Sequence, residues 1–139
     1  MSKFVVDANV AIKWVIPEIY ANEALSLLDT DHILLVLDFF FSEIGNILWK
    51  QVRFQRLTLE EAKFNFNQIV ITPLQIYQSR ELVSFALEIG ARTQQAVYDC
   101  VYLSLAVQEG CHMVTADERF FNAVQGDILA SSLCWIEDV

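Results

Sequence analysis

Four carboxylates in this chain stand where an acid needs a reason to be. Asp7 is the only charge in residues 4–12, Glu43 the only one in 39–49, and Asp99 the only one in 96–107. Asp117 lies just past a short β-type run, His112-Met113-Val114-Thr115. Taking even a neutral polar group out of water without a partner costs roughly 2–7 kcal/mol, and an ion costs more. No lone base is placed to match these acids. Their simplest shared partner is a hard divalent cation, which prefers carboxylate oxygens. Each acid also has a plainer reading. Asp7 or Asp117 could be an N-cap or turn former, and Glu43 could pair with a distant Arg. Asp99 lies near a helix start, where the dipole favours an anion by only about 0.3–1 kcal/mol, too little to offset burial. Taken together, with two at strand ends, the four favour a metal site.

The elements that must position them alternate in type. A strand over 3–6 ends at Asp7-Ala8-Asn9, and a helix over 10–16 is halted by Pro17. A helical pattern over 21–28 precedes the all-apolar run 33–37, which reads as a buried parallel strand. A helix over 39–53 carries Glu43. Thr58 and Glu61 form a capping box that opens a helix running to about residue 70. A short strand over 72–76 and a helix over 79–90, closed at Gly90, come next. The helix of Asp99, apolar on nearly every side, belongs in a core and is closed by Gly110. The strand before Asp117, a short helix through Val124 and a last strand over 133–136 complete the chain. Strands alternating with helices imply an α/β domain whose parallel sheet is covered on both faces. Residues 1–139 read as one such domain.

Composition narrows the function. The chain is 55% hydrophobic with a mean hydropathy of +0.37, yet no apolar run approaches the ~20 residues of a membrane span. The apolar surplus suits a protein interface. Asp7 interrupts the one N-terminal apolar run, so no signal peptide is read. Cys100, Cys111 and Cys134 are odd in number and form no CxxC, which points to reduced thiols and a cytoplasmic setting. Nine Lys and Arg against 18 Asp and Glu leave a net charge of −9, which argues against non-specific binding to a polyanion. A nucleic acid must then be admitted by a local arrangement, or by metal ions that reverse the local sign.

The stretches VVDANVAIKW, SEIGNILWK, YDCVYLSLA and VTADERFF resemble the successive motifs of the PIN domain, above all those of VapC-type toxins. They follow the family's order and spacing through nearly the whole chain. The resemblance implies a three-layer α/β/α sandwich around a central parallel sheet, a Mg²⁺- or Mn²⁺-dependent endoribonuclease, and a cognate antitoxin. It carries the acidic quartet onto Asp7, Glu43, Asp99 and Asp117, as metal ligands and catalytic residues. Asn9 and Thr115 match small polar positions near the metal, where they could orient the attacking water. Leu37 departs from the pattern by standing where a Pro often precedes the second motif.

Further readings concern what touches the RNA and what docks. Lys50 follows Glu43 by seven residues, about two turns on nearly the same face, and Lys13 follows Asp7 by six. These two cations are the candidates for phosphate contact, while Arg53 and Arg56 read as a solvated flank. At helical spacing most of residues Phe39, Phe40, Phe41, Trp49, Phe54, Phe64 and Phe66 should be core. Any left exposed would form a groove for an antitoxin segment or for the second subunit of a homodimer. The rival function is a PIN-like binding module with silent acids. Asn9 stands where aspartyl-phosphate chemistry wants a second Asp. His32 and His112, the raw material for a metal-free ribonuclease, occupy no motif.

Overall fold

The computed structural model describes residues 2–139. Strands β1 (Ser2–Val6), β2 (His32–Leu37), β3 (Gln75–Tyr77), β4 (His112–Thr115) and β5 (Leu133–Trp135) form one sheet in the order β3-β2-β1-β4-β5. Every pairing is parallel. The α-helices are α1 (Ala8–Ala11), α2 (Ala21–Ser26), α3 (Phe40–Arg53), α4 (Leu59–Val70), α5 (Val83–Thr93), α6 (Val97–Glu109) and α7 (Glu118–Val124).

Neighbouring strand residues point to opposite faces, and here both faces are dry. Val5, Leu35, Leu37 and Met113 pack with α5, α6 and α7. Val6, Leu34, Val36 and Val114 pack with α1 to α4. This is why the strands read as unbroken apolar runs, and it makes the molecule a three-layer α/β/α sandwich. Helix α6 is buried without a break from Cys100 to Ala106, wedged between the sheet and α5. Gly110, at φ +64°, closes it in the left-handed conformation that glycine adopts most cheaply.

Several boundaries differ from expectation for physical reasons. The first helix begins at Ala8, because the Asp7 carboxylate accepts the Val10 N–H at 2.9 Å. It then tightens into a 3₁₀ turn, Ile12–Trp14. Pro73 has no N–H to offer a ladder, and pairing of the third strand starts only at Gln75, opposite Leu35. Gly90 does not end its helix, which runs on to Thr93 and closes at Gln94 with φ +58°. A Cβ at Gly90 would lie 3.0 Å from the carbonyl oxygen of Gln95, so this glycine permits the close turn into α6. Of the seven mid-chain aromatics, Phe40 is buried in the core and Phe39, Phe41 and Phe66 pack against it, as expected of most of them, while three are left exposed. The buried stripe of α3 is Phe40, Ile44 and Leu48, which leaves Trp49 and Phe54 more than half exposed; Phe64 of α4 is likewise exposed. The thiols are all free; Cys100 is buried and the other two are half-buried.

Candidate active site

In an open parallel sheet, the crevice lies beyond the carboxyl ends of the strands, where the strand order reverses. Here β2 and β3 extend to one side of β1, and β4 and β5 to the other. Val6 is level with Val114, so Asp7 and Asp117 leave the sheet at neighbouring points of this reversal. Each caps the helix that follows. Asp7 Oδ1 accepts the Val10 N–H at 2.9 Å, and Asp117 Oδ1 accepts the Phe120 N–H at 3.1 Å. Capping and a site role do not compete, since each carboxylate keeps a second oxygen. Glu43 lies in the first turn of α3 and Asp99 in the first turn of α6. All four acids therefore stand at helix N-termini, the positive ends of helix dipoles.

Asp7 lies within reach of the charges of the other three. Burial raises the Asp7 pKa to about 7, against the Val10 hydrogen bond, and the charges of Asp99, Glu43 and Asp117 raise it further. Asp99 is raised to about 6 by burial and then by Asp117. Glu43 is raised by burial, lowered by the Tyr102 hydroxyl and raised again by Asp99. Among the described residues, the ion pairs are Lys13–Glu18, Arg80–Glu81 and Arg92–Asp127, and none involves the quartet. The acids are near enough to disturb one another. Yet among the described residues no three His, Cys, Asp or Glu side chains are grouped tightly enough to close on one ion. As a donor set, four hard carboxylate groups without a protein cation suit Mg²⁺ or Mn²⁺ chemistry.

The remaining candidates divide. Asn9 and Lys50 line a crevice of about 460 Å³ together with Glu43, Ser42, Asn46 and Tyr98. Thr115 is buried, and its Oγ1 accepts the Asp117 N–H at 3.1 Å, fixing the turn that presents that acid. Lys13 is not free to meet a phosphate: its ammonium is bonded to Glu18 at 3.0 Å and its side chain is 8% exposed. Beyond Pro17 the chain folds Glu18 back onto it, which spacing from Asp7 could not reveal. One residue escaped the sequence reading. Tyr102, 1% exposed, donates its hydroxyl hydrogen to Glu43 Oε1 at 2.6 Å. Its signal was the three-residue step from Asp99, which puts both on one face of α6.

The PIN domain family model matches residues 4–126. The chain belongs to the PIN domain family. Ribonuclease VapC3 of Pyrobaculum aerophilum is 27% identical to this PIN domain over 119 residues, spanning 84% of this chain and 91% of the relative. The crystal structure of PAE2754 from the same organism matches it with a TM-score of 0.71 at 18% identity, covering 98% of this chain and 85% of that one. A toxin–antitoxin complex from Klebsiella pneumoniae matches with a TM-score of 0.63 at 12% identity, over 100% of both chains. At such identities the solved structures speak to the fold. No helix of this PIN domain, among the described residues, is long and apolar enough to cross a membrane.

Proposed function

We propose that this PIN domain is a Mg²⁺- or Mn²⁺-dependent endoribonuclease, the toxin of a type II toxin–antitoxin pair. One observation carries the reading: at the strand-order reversal Asp7 feels the charges of three carboxylates from three other stretches, and no protein cation pairs with any of the four. Asp7, Glu43, Asp99 and Asp117 would hold the ion. A bound divalent ion supplies Lewis-acid activation of water and offsets charge on the reacting phosphate. The chain's own contribution is placement. Asp7 and Asp117 are fixed by the N–H groups they cap, and Glu43 by the Tyr102 hydroxyl. Asn9 and Lys50, on the crevice wall, orient water and meet a phosphate oxygen. Phosphodiester hydrolysis on these terms needs no side-chain nucleophile and leaves a 5′-phosphate and a 3′-hydroxyl.

The name of the ribonuclease relative and the toxin–antitoxin neighbour support an RNA substrate and an antitoxin partner. An apolar groove of about 370 Å³ between α3 and α4, with Leu48, Val52, Leu59 and Phe66 in its walls, suits an apolar antitoxin segment. Homodimerisation in the cytoplasm belongs to the same proposal, on the strength of the exposed apolar side chains; a strict monomer in light scattering at tens of micromolar would contradict it. The competing reading, a binding module with silent acids, is favoured by that groove alone. Hydrolysis of a mixed RNA pool with Mg²⁺ or Mn²⁺, and its loss in EDTA, separates the two. Equal cleavage in EDTA, or none by folded, metal-supplied protein, removes the hydrolase reading.

A further inference from the structure

Of the nine Lys and Arg, Lys13, Arg80 and Arg92 are in ion pairs. Among the described residues the other six, Lys3, Lys50, Arg53, Arg56, Lys63 and Arg119, have no such partner, and all are exposed. Four of the six lie within residues 50–63, on the second half of α3, the turn after it and α4. In a chain of net charge −9 this is a local reversal of sign.

The clustered cations are interleaved with exposed aromatics. The Arg53 guanidinium lies 5.5 Å from the Trp49 ring centre and 5.8 Å from that of Phe54. Arg56 lies 5.8 Å from Phe54 on its own account. Trp49 and Phe54 are 52% and 59% exposed. Steps of three and four residues put Glu43, Asn46, Lys50 and Arg53 on one stripe of α3. Over those ten residues the helix advances about 15 Å. The stripe starts in the crevice, which Glu43, Asn46 and Lys50 line, and ends beside the aromatic pair. Cations at a helix C-terminus also complement its dipole, and Trp49 is in the wall of the apolar groove between α3 and α4, but neither role accounts for guanidinium groups lying beside both exposed rings.

We propose that α3 is a track for single-stranded RNA, leading from the acidic centre along Asn46, Lys50 and Arg53 to a stacking platform formed by Trp49 and Phe54 with Arg53 and Arg56. Unpaired bases stack on exposed aromatic rings whatever their identity, while neighbouring cations follow the phosphates. The substrate class is thus RNA with several unpaired nucleotides flanking the cut bond, with little demand on their sequence at the platform. This rests on the ribonuclease reading for the direction of the track, but its binding is measurable without catalysis.

The test is fluorescence anisotropy of a labelled 12-nucleotide oligouridine, with catalytically disabled Asp99→Asn protein as background, in Mg²⁺ and over a range of salt. Trp49→Ala is expected to weaken binding by about tenfold or more, and Trp49→Phe to restore most of it. Arg53→Gln with Arg56→Gln should make the log–log salt dependence shallower by about 1.4, because two phosphates of a single strand are no longer neutralised. A duplex oligomer should compete poorly. Circular dichroism confirms that each variant is folded. Unchanged binding in Trp49→Ala, no binding by the background protein, or equal competition by duplex overturns the track. If Trp49→Ala instead leaves RNA binding intact and converts a dimer to a monomer in light scattering, the platform is a protein interface and the track is overturned. Cleavage assays keep the two proposals apart. RNA cut by otherwise wild-type protein, with KM unmoved by Trp49→Ala, removes the track and spares the hydrolase; platform-dependent binding without any cleavage does the reverse.

Discussion

Tyr102 of α6 donates its hydroxyl hydrogen to Glu43 of α3 at 2.6 Å, joining two helices from opposite layers across the end of the sheet. Burial, and then Glu43 itself, push the phenol pKa upward, so Tyr102 remains a donor at any ordinary pH. The bond lowers the Glu43 pKa against the burial that raises it. Tyr102→Phe keeps the ring and removes only the donor. The pKa of Glu43 should then rise, and the acid limb of the pH–rate profile should move to higher pH. Because a hydrogen bond to a charged group contributes about 1.5–3 kcal/mol, a fall in cleavage of about tenfold near neutral pH is expected. An unmoved acid limb would show that Glu43 does not govern it.

Asp7 predicts how metal-free stability follows pH. Its folded pKa of about 7 is far above the ordinary carboxyl value of 3.8, through burial first and then its acidic neighbours. A raised carboxyl pKa means that the folded state binds the proton more tightly than the unfolded chain. The contribution is fully present below pH ~4 and is lost as pH rises through about 7. Asp99, at about 6, adds to the loss over an overlapping window. Urea unfolding in EDTA should therefore show stability falling between about pH 4 and pH 7. Asp7→Asn should flatten the slope, since Asn caps a helix about as well as Asp. A wild-type slope that survives in Asp7→Asn would place the titration elsewhere.

Asp99→Asn removes one repelling charge at almost constant volume. Asp99 has no protein hydrogen bond or ion pair among the described residues that the change would break. Cleavage should be abolished, while the protein in EDTA melts at or above the wild-type temperature. Stabilisation by Mg²⁺, which follows from binding the folded state alone, should weaken. A variant that melts well below wild type in EDTA would mean that the protein itself holds the charge.

Gly90 tests the placement of α6. Gly→Ala inside a helix ordinarily stabilises by about 1 kcal/mol. Here the added methyl would meet the Gln95 carbonyl oxygen at 3.0 Å, and that oxygen belongs to the backbone of the turn leading to Asp99. Overpacking against a rigid neighbour costs roughly 1–3 kcal/mol, so Gly90→Ala should destabilise. Urea denaturation reads the sign directly, and a gain in stability would contradict the close approach.

What could be read from the chain alone follows a physical division. The central strands were legible because both faces of the sheet are buried there, which makes them apolar runs with an acid at or just beyond the end, as in Val5-Val6-Asp7 and Met113-Val114-Thr115-Ala116-Asp117. The capping box of Thr58 and Glu61 was legible because it is local, and both of its hydrogen bonds are present. Relationships set by tertiary approach were not. Tyr102 meets Glu43 across 59 residues, Lys13 is taken by Glu18 after a chain reversal, and Gly90 serves a neighbouring turn rather than a helix end. Which of the aromatics stay exposed was not legible, because helical spacing predicts a buried stripe, not its width. The stripe of α3 stops at Leu48 and leaves Trp49 in solvent. Asp7, Glu43 and Asp99 were visible as lone charges, and Asp117 by its place just past a strand. That Asp7 and Asp117 also cap helices could not be separated from a site role until both oxygens of each had been placed.

The central claim is that the quartet is a divalent-metal centre, and Mn²⁺ titration followed by the electron paramagnetic resonance of the free ion tests it most directly. Wild-type protein is expected to take up Mn²⁺ stoichiometrically at micromolar to millimolar concentrations, with Mg²⁺ competing. Asp7→Asn and Asp99→Asn should each weaken uptake by about tenfold or more, since loss of even an outer partner of a metal site costs on that order. Failure of the folded wild-type protein to take up Mn²⁺, or uptake identical in wild type and both variants, would contradict the account.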